Sequence, residues 1–90
     1  MDRDVRPRLA SKARLRPDRQ TGGWLLLYPE RALALNATAV EVVQLCTGEH
    51  SVADMVARLA ARHGTDDASV ERDVRAFLDA LTARGLLVPS

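Results

Sequence analysis

The stretch from Trp24 to Asn36 is dominated by aliphatic side chains and is interrupted once by a turn signal. The apolar run at residues 24–27 follows a Gly-Gly pair and precedes a proline, which is typical of a short buried strand. Pro29 cannot donate a hydrogen bond to a sheet, so it is expected in the turn. Residues 32–35 then return as a second strand. The pattern predicts a hairpin whose second strand has little else to pair with.

An unpaired strand at the edge of a sheet carries a row of free N–H and C=O groups. Extended peptides bind such edges by adding a strand, and their main-chain hydrogen bonds supply part of the affinity. Ala32 and Ala34 are small enough to let a second backbone approach. We therefore expect this strand to dock an extended peptide, a function that needs no catalytic group.

A first helix is predicted to begin after the hairpin, with Asn36 or Thr38 as its N-cap. Its side chains are apolar on most sides, and Gly48 is expected to end it. Because several of these side chains are β-branched, a strand over residues 40–45 is the competing interpretation. Polar residues at helical spacing favour the helix.

The second helix is indicated by Ser51 as N-cap and by apolar residues at helical spacing. His63-Gly64 is expected to close it, and both histidines, His50 and His63, are expected to be solvated. The residues predicted to face the core are Val52, Met55, Val56, Leu59 and Ala60.

The third and longest helix is predicted to begin at Asp66 or Asp67 and to end at Gly85. Residues 86–89 should then run extended against the core. The apolar stripe of this helix is formed by Val70, Val74, Phe77, Leu78 and Leu81.

The predicted fold is α+β, with a short N-terminal three-stranded antiparallel sheet followed by a three-helix bundle, an arrangement like a winged helix–turn–helix. A short strand at residues 13–16 supplies the third strand. One domain is expected over residues 13–90, because 90 residues support a single core. Residues 1–12 contain no periodic apolar pattern and are predicted to form a flexible basic arm.

The charge distribution bears on a second functional class, a small winged-helix DNA-binding transcriptional regulator. Residues 1–20 hold seven Lys or Arg against three Asp, a net charge of +4, whereas the whole chain carries only +1. A DNA reader should present unopposed cations on one helix face, since phosphate contacts dominate affinity. In the third helix, arginines are balanced by nearby acids, so DNA binding stays the weaker alternative.

No convincing catalytic group or metal-ligand cluster is found in the sequence, and no enzyme activity or cofactor is predicted. The single cysteine, Cys46, lies on a buried helix and is expected to be inert. One cysteine cannot form an internal disulfide and fits a reducing compartment. No apolar run is long enough to span a bilayer, and the N-terminus lacks the apolar segment of a secretory signal. A cytoplasmic location is therefore expected.

Four motifs follow one another along the chain without large gaps. They are Trp24-Leu25-Leu26-Leu27-Tyr28-Pro29-Glu30, Leu35-Asn36-x-Thr38-Ala39, Leu45-Cys46-x-Gly48 and Asp73-Val74-x-x-Phe77-Leu78-x-x-Leu81. Together they resemble the PqqD family of coenzyme pyrroloquinoline quinone (PQQ) biosynthesis, the parent of the precursor-peptide recognition domains of ribosomal peptide modification. Two positions depart from the family pattern, because Thr47 replaces the usual Asp before Gly and Arg31 replaces the usual Gly after Pro-Glu.

The resemblance implies a chaperone that binds the ribosomal precursor peptide PqqA and presents it to PqqE, a radical S-adenosylmethionine (SAM) enzyme. In related domains the leader peptide adds to one strand and lies in the groove beside the third helix. The peptide-binding residues this implies are Arg31, Ala32, Leu33, Ala34, Leu35, Asp73, Val74, Phe77 and Leu78. A groove floored by four of them, Leu33, Leu35, Val74 and Leu78, could take the leader's apolar side chains.

The oligomeric expectation is a monomer in dilute solution. The N-terminal strand unit sits on a flexible Gly22-Gly23 loop and could exchange between two copies. A domain-swapped dimer is the alternative at high concentration.

Overall fold

The computed structural model describes residues 1–88 and confirms an α+β fold with three helices and antiparallel sheets. Pro89, assigned to the extended C-terminal run, lies outside the described residues. In chain order the elements are β1 (Arg8–Leu9), β2 (Arg14–Pro17), β3 (Trp24–Tyr28), β4 (Arg31–Leu35), α1 (Ala37–Leu45), α2 (Val52–His63), α3 (Asp67–Ala83) and β5 (Leu87–Val88).

The predicted hairpin forms two strands of a three-stranded antiparallel sheet in the order β2-β3-β4. In the central strand, Leu26 pairs with Leu15 on one side and with Leu33 on the other. Leu26 is fully buried, and alternate residues along a strand point to opposite faces. One face of the sheet is therefore built into the core, and the other lies on the outside of the molecule.

The expectation of one sheet before the helices was incomplete. A second, two-stranded sheet joins β1 to β5, with Arg8 opposite Val88 and Leu9 opposite Leu87. Its strands have two residues each and come from opposite ends of the chain. Such short strands show no apolar alternation, so the pairing has no local sequence signal.

Residues 1–12, predicted to form a flexible basic arm, lie along the helices in the structure. The carbonyl of Val5 accepts the Val52 amide at 2.9 Å, and the carbonyl of Arg3 accepts the Ala53 amide at 3.0 Å. These amides belong to the first turn of α2 and have no partner within the helix. Pro7 is fully buried. The N-terminal segment thus caps α2, a long-range role that its irregular sequence does not reveal.

Three side chains cap the helices as predicted. Asn36 Oδ1 accepts the Ala39 amide at 2.8 Å, which decides between Asn36 and Thr38. Ser51 Oγ accepts the Asp54 amide at 3.0 Å, and Asp66 Oδ1 accepts the Ser69 amide at 3.1 Å. Gly64 and Gly85, both with positive φ, follow the ends of α2 and α3.

The end of α1 was predicted one residue too late, since Gly48 was expected at C′, the position after the C-cap, and Thr47 occupies it. The helix ends at Leu45 with Cys46 as its C-cap, and Gly48 lies beyond it. Gly48 has φ +83°, and its amide donates to the Pro7 carbonyl at 2.9 Å. Gly48 therefore contacts the N-terminal segment and does not terminate the helix.

The core lies between the inner face of the three-stranded sheet and the helices. It is aliphatic, and Trp24 and Tyr28 are half-buried at the two ends of β3. The fully buried members are Leu26, Val52, Met55, Val56, Leu78, Leu81 and Leu86. This packing fixes β4 at one edge of the sheet and leaves α3 beside the groove described below.

Candidate peptide-binding site

Within the described residues, β4 pairs on one side only, with β3. Arg31 lies opposite Tyr28 and closes a two-residue hairpin loop. In such a loop the closing pair exchanges hydrogen bonds, and hydrogen-bonded and non-bonded pairs then alternate along the ladder. Residues 31, 33 and 35 therefore direct their N–H and C=O groups to β3. Ala32 and Ala34 direct theirs to the open edge.

The opposite edge of the sheet, β2, is less suited to accept a strand. Pro17 has no amide hydrogen to offer, and Arg14 and Arg16 are charged. Charged side chains and proline are the usual protection of sheet edges against pairing. β4 carries neither between Ala32 and Leu35, so it is the edge that this sheet leaves open to a guest strand.

The turn that leads into β4 is formed by Pro29 and Glu30. Glu30 has φ +66°, an uncommon conformation for a residue with a side chain. A proline followed by a residue with positive φ is the pattern of a type II turn, which favours glycine at the second position. Arg31, at the position where the resemblance implied a glycine, is the first residue of the strand and is exposed. Arg31 therefore still pairs with Tyr28 to close the hairpin, and it places a cation at the start of β4.

A groove of about 430 Å³ opens beyond the end of β4. Three elements line it: the start of α1, the end of α2 with the residues after it, and α3 as far as Phe77. The lining residues are Asn36, Thr38, Ala39, Val42, Leu59, His63, Thr65, Val70, Asp73, Val74 and Phe77. Because Asn36 follows β4 directly, the open edge and the groove are consecutive along the chain.

Of the predicted residues on α3, three line this groove: Asp73, Val74 and Phe77. Leu78 does not line it and is fully buried, as part of the core. Leu35 is also buried, and Leu33 packs against the core cluster. The predicted floor of Leu33, Leu35, Val74 and Leu78 is therefore only partly a groove surface, since Val74 alone is among its lining residues.

The structure adds groove residues that the sequence analysis did not assign to the site. Asn36 and Thr38 were considered only as helix caps, and His63 only as a solvated helix end. The cap signal at Asn36 marks where the strand meets the helix, and it could have pointed to the groove mouth. His63 and Thr65 come from a distant helix end and carry no such signal.

Both histidines were expected to be solvated: His63 is exposed and His50 is half-buried, and each is also paired with a carboxylate. His63 Nε2 donates to Glu41 Oε2 at 2.7 Å, and Arg62 Nε lies 3.8 Å from the other oxygen of Glu41. The hydrogen bond from His63 lowers the pKa of the Glu41 carboxyl from its ordinary value. His50 Nδ1 donates to Asp54 Oδ2 at 2.8 Å. The His63 contact ties α2 to α1 at the rim of the groove.

The two flanks of α3 serve different contacts. Glu71 and Arg75 pair at 2.9 Å, as predicted, and both also contact the N-terminal segment, through Arg3 and the Met1 carbonyl. Asp73 and Phe77 lie on the other flank, in the groove. The N-terminal segment therefore covers one side of α3 and leaves the groove side open.

Other chemistry is sparse in the part of the chain that the structure describes. No cluster of three or more His, Cys, Asp or Glu side chains is placed to hold a metal ion among residues 1–88. Burial raises the pKa of the Cys46 thiol to about 12, and its Sγ donates to the Val42 carbonyl at 3.2 Å. No described helix is both long and apolar enough to cross a membrane.

The comparisons with known proteins agree with this geometry. The family model of coenzyme PQQ synthesis protein D (PqqD) matches residues 23–87. A Rhodopseudomonas palustris protein called "PqqA binding protein" is 44% identical over 82 residues, which cover 91% of this chain and 80% of the relative.

Two solved structures share the fold. The PqqD part of Methylobacterium extorquens PqqCD, a stand-alone recognition element for ribosomally synthesised and modified peptides, is 34% identical with a TM-score of 0.80, covering 94% of this chain and 89% of that one. Lasso peptide synthetase B1, complexed with its leader peptide, is 27% identical with a TM-score of 0.79, covering 93% and 99%. With its open strand, its groove and a match over most of its length, the chain belongs to the PqqD family.

Proposed function

We propose that this chain binds the precursor peptide PqqA without catalysing a reaction on it, and that it presents the peptide to the radical SAM enzyme PqqE. The single observation that carries the proposal is the open β4 edge at Ala32 and Ala34, which is followed directly in the chain by Asn36 of the groove. Relatives named for PqqA binding and a leader-bound structure of the same fold support it. Because the precursor peptide is made by ribosomes, we expect the encounter in the cytoplasm.

The β4 edge and the groove contribute differently to peptide binding. Ala32 and Ala34 together offer two donors and two acceptors to a guest strand. At about 1 kcal/mol net per hydrogen bond they supply about 4 kcal/mol, which corresponds to a dissociation constant near the millimolar range. Ordering a flexible peptide subtracts from that sum. The apolar groove must therefore supply the affinity that the edge lacks, while the edge sets the register of the peptide.

The groove also favours a particular kind of peptide side chain. Val70, Val74 and Phe77 offer apolar surface, and Asp73 is an exposed carboxylate among them. An apolar side chain inserted here would be worth about 2 kcal/mol in transfer free energy. At the other end of β4, the exposed Arg31 favours an acidic peptide residue. The proposed leader thus has an apolar anchor near α3 and an acid near the hairpin turn.

A direct test is titration of a fluorescently labelled PqqA peptide, followed by anisotropy. Ala34→Pro removes one amide donor at the open edge. No hydrogen bond to β3 is lost, because the Ala34 amide points away from β3, and proline is tolerated at such edge positions. Ala34→Val changes the side chain and keeps the donor. We expect saturable binding by the wild type and by Ala34→Val, and at least about tenfold weaker binding by Ala34→Pro. No saturable binding by the wild type would contradict the proposal.

We propose that the likeness to a winged helix–turn–helix is one of architecture and not of DNA binding. Arg75 of α3 is held by Glu71 and by the Met1 carbonyl, so it is not offered to phosphates. Exposed Arg72 is followed directly by Asp73. A salt-sensitive gel shift with duplex DNA, unaffected by the peptide, would favour the regulator instead.

The binding unit is proposed to be the monomer, because the described β4 edge and the groove come from one chain. Exchange of the N-terminal strands about Gly22-Gly23 at high concentration would give dimers. Light scattering across a concentration series tests this, and a tight dimer in the low micromolar range would contradict it.

A further inference from the structure

The three-stranded sheet has an outer face that does not contribute to the core. Leu26 is fully buried, and its neighbours on the same face of the sheet, Leu15 and Leu33, pack against the core cluster. Leu25 and Leu27 lie on the opposite face of β3 by strand alternation, and neither belongs to that cluster. The outer face therefore carries two large apolar side chains that the core does not use.

The register gives this outer face two identical rows across the sheet. Arg16, Leu25 and Ala34 form one row, from β2 through β3 to β4. The second row repeats the pattern with Arg14, Leu27 and Ala32. Each row thus runs from a cation through a leucine to an alanine, with no carboxylate in either.

Four of these six residues are exposed, namely the two arginines and the two alanines, and both leucines are partly exposed. Arg14 is held near its own strand, since its guanidinium donates to the Ala13 carbonyl at 3.0 Å. Among residues 1–88, Arg16 makes no side-chain hydrogen bond or ion pair with its neighbours. The face thus offers an apolar strip bordered on one side by positive charge.

The charge on this face selects its occupant. A second copy of the chain would bring the same two arginine rows, and like charges across an interface disfavour association. Nucleic acid would pair with the arginines but would leave the leucine strip without an apolar partner. A protein surface with an apolar strip bordered by carboxylates satisfies both features. Electrostatic complementarity of this kind governs both the rate and the specificity of docking.

The β4 edge connects this face to peptide binding. A strand added beside β4 becomes a fourth strand, and alternate side chains of the guest then stand on the outer face next to Ala32 and Ala34. Alanine is small, so a partner resting on Leu25 and Leu27 can reach across to the guest. One partner would thereby contact the domain and its bound peptide on a continuous surface.

We propose that the outer face of the sheet docks the peptide-modifying enzyme, whose own surface there is an apolar strip bordered by carboxylates, and that the bound peptide completes this outer face as a fourth strand. The residues of the outer face are Arg14, Arg16, Leu25, Leu27, Ala32 and Ala34. This inference rests on the proposed function. It assigns the enzyme-facing side of the molecule, and it makes enzyme docking depend on peptide loading.

The test measures PqqE binding to the chain with and without saturating PqqA peptide, by biolayer interferometry at low salt. Arg16→Glu reverses an exposed charge, and Leu25→Thr removes half of the apolar strip while keeping a strand-forming residue. Arg72→Glu is the matched control, since it reverses an exposed charge on α3, away from the sheet. Peptide affinity is measured for each variant by the anisotropy titration.

We expect peptide-loaded wild type to bind PqqE more tightly than the unloaded chain. Arg16→Glu and Leu25→Thr should each weaken PqqE binding at least about tenfold while peptide affinity stays within about threefold of wild type. Arg72→Glu should behave as wild type. Raised salt should weaken the wild type more than Arg16→Glu.

Unchanged PqqE binding by Arg16→Glu and Leu25→Thr, at unchanged peptide affinity, would overturn the inference. Loss of a duplex-DNA gel shift in Arg16→Glu, with PqqE binding intact, would overturn it in favour of nucleic acid. If the wild type binds no peptide, the proposed function fails separately. In that case PqqE affinity is compared between wild type and Arg16→Glu without peptide. Weaker binding by Arg16→Glu supports docking at the outer face, and equal binding overturns it.

Discussion

His63 Nε2 donates to Glu41 Oε2 at 2.7 Å, although the two residues lie 22 positions apart in the chain. The contact joins the end of α2 to α1, the helix that follows the open edge of β4. Glu41 is also approached by Arg62 at 3.8 Å, so the carboxylate faces two basic side chains. His63 lines the groove, and the pair therefore links the position of a groove side chain to the charge of Glu41.

This pair predicts part of the acid sensitivity of the fold. The pKa of Glu41 is lowered by folding from its ordinary value of 4.5, so the unfolded chain binds the proton first as the pH falls. The stabilisation is present above about pH 4.5 and is lost as the pH falls through the folded-state value. Urea unfolding of Glu41→Gln from pH 6 to pH 3 should show a shallower loss of stability than wild type. Glu49→Gln, at an exposed carboxylate, is the control and should follow wild type.

Asn36→Ala should lower the free energy of unfolding by about 1 kcal/mol, because the Ala39 amide loses its acceptor at the start of α1. Thr38→Ala is a matched control, since Thr38 is exposed in the first turn and was the competing cap. Chemical denaturation compares the two. An equal or greater loss in Thr38→Ala would contradict the assignment of the cap.

Cys46 should be unreactive in the native protein. Its thiol is buried, its pKa is raised to about 12, and only the thiolate reacts with disulfide reagents. Ellman's reagent at pH 8 should label it only as fast as the chain unfolds, and at once in denaturant. Rapid labelling of native protein would show that the α1 end opens more readily than its packing indicates.

Phe77→Ala should weaken PqqA peptide binding at least about tenfold, because Phe77 contributes apolar surface to the groove on the open flank of α3. Val88→Ala truncates an exposed apolar side chain of β5 and is the control. Circular dichroism confirms that both variants are folded. Peptide affinity in Phe77→Ala equal to that of wild type would place the anchor elsewhere.

Local signals predicted the hairpin and the helix starts because each is specified by a few consecutive residues. Pro29 marks the turn, and Asn36 and Ser51 place acceptors where the first helical amides need them. The open edge also followed from the sequence, since a hairpin returning after one turn leaves its last strand unpaired. Each of these features depends on the backbone conformation and hydrogen bonds of a few consecutive residues.

The remaining features depend on contacts between distant segments. The pairing of Leu9 with Leu87 and the capping of Val52 by Val5 join parts of the chain that share no local pattern. Gly48 was assigned to a helix end because glycine is common there, whereas its amide donates to Pro7, 41 positions earlier in the chain. The groove likewise forms only because the end of α2 packs beside α3, and His63 lines the groove as a result of that packing.

Hydrogen exchange at the β4 amides, followed by NMR with and without PqqA peptide, tests strand addition at its own atoms. In the free chain the Ala32 and Ala34 amides should exchange rapidly, and the Leu33 amide should be protected by β3. With saturating peptide, Ala32 and Ala34 should slow at least about tenfold while Leu33 changes little. Saturable peptide binding that leaves the Ala32 and Ala34 amides unprotected would contradict the account, as would their protection before any peptide is added.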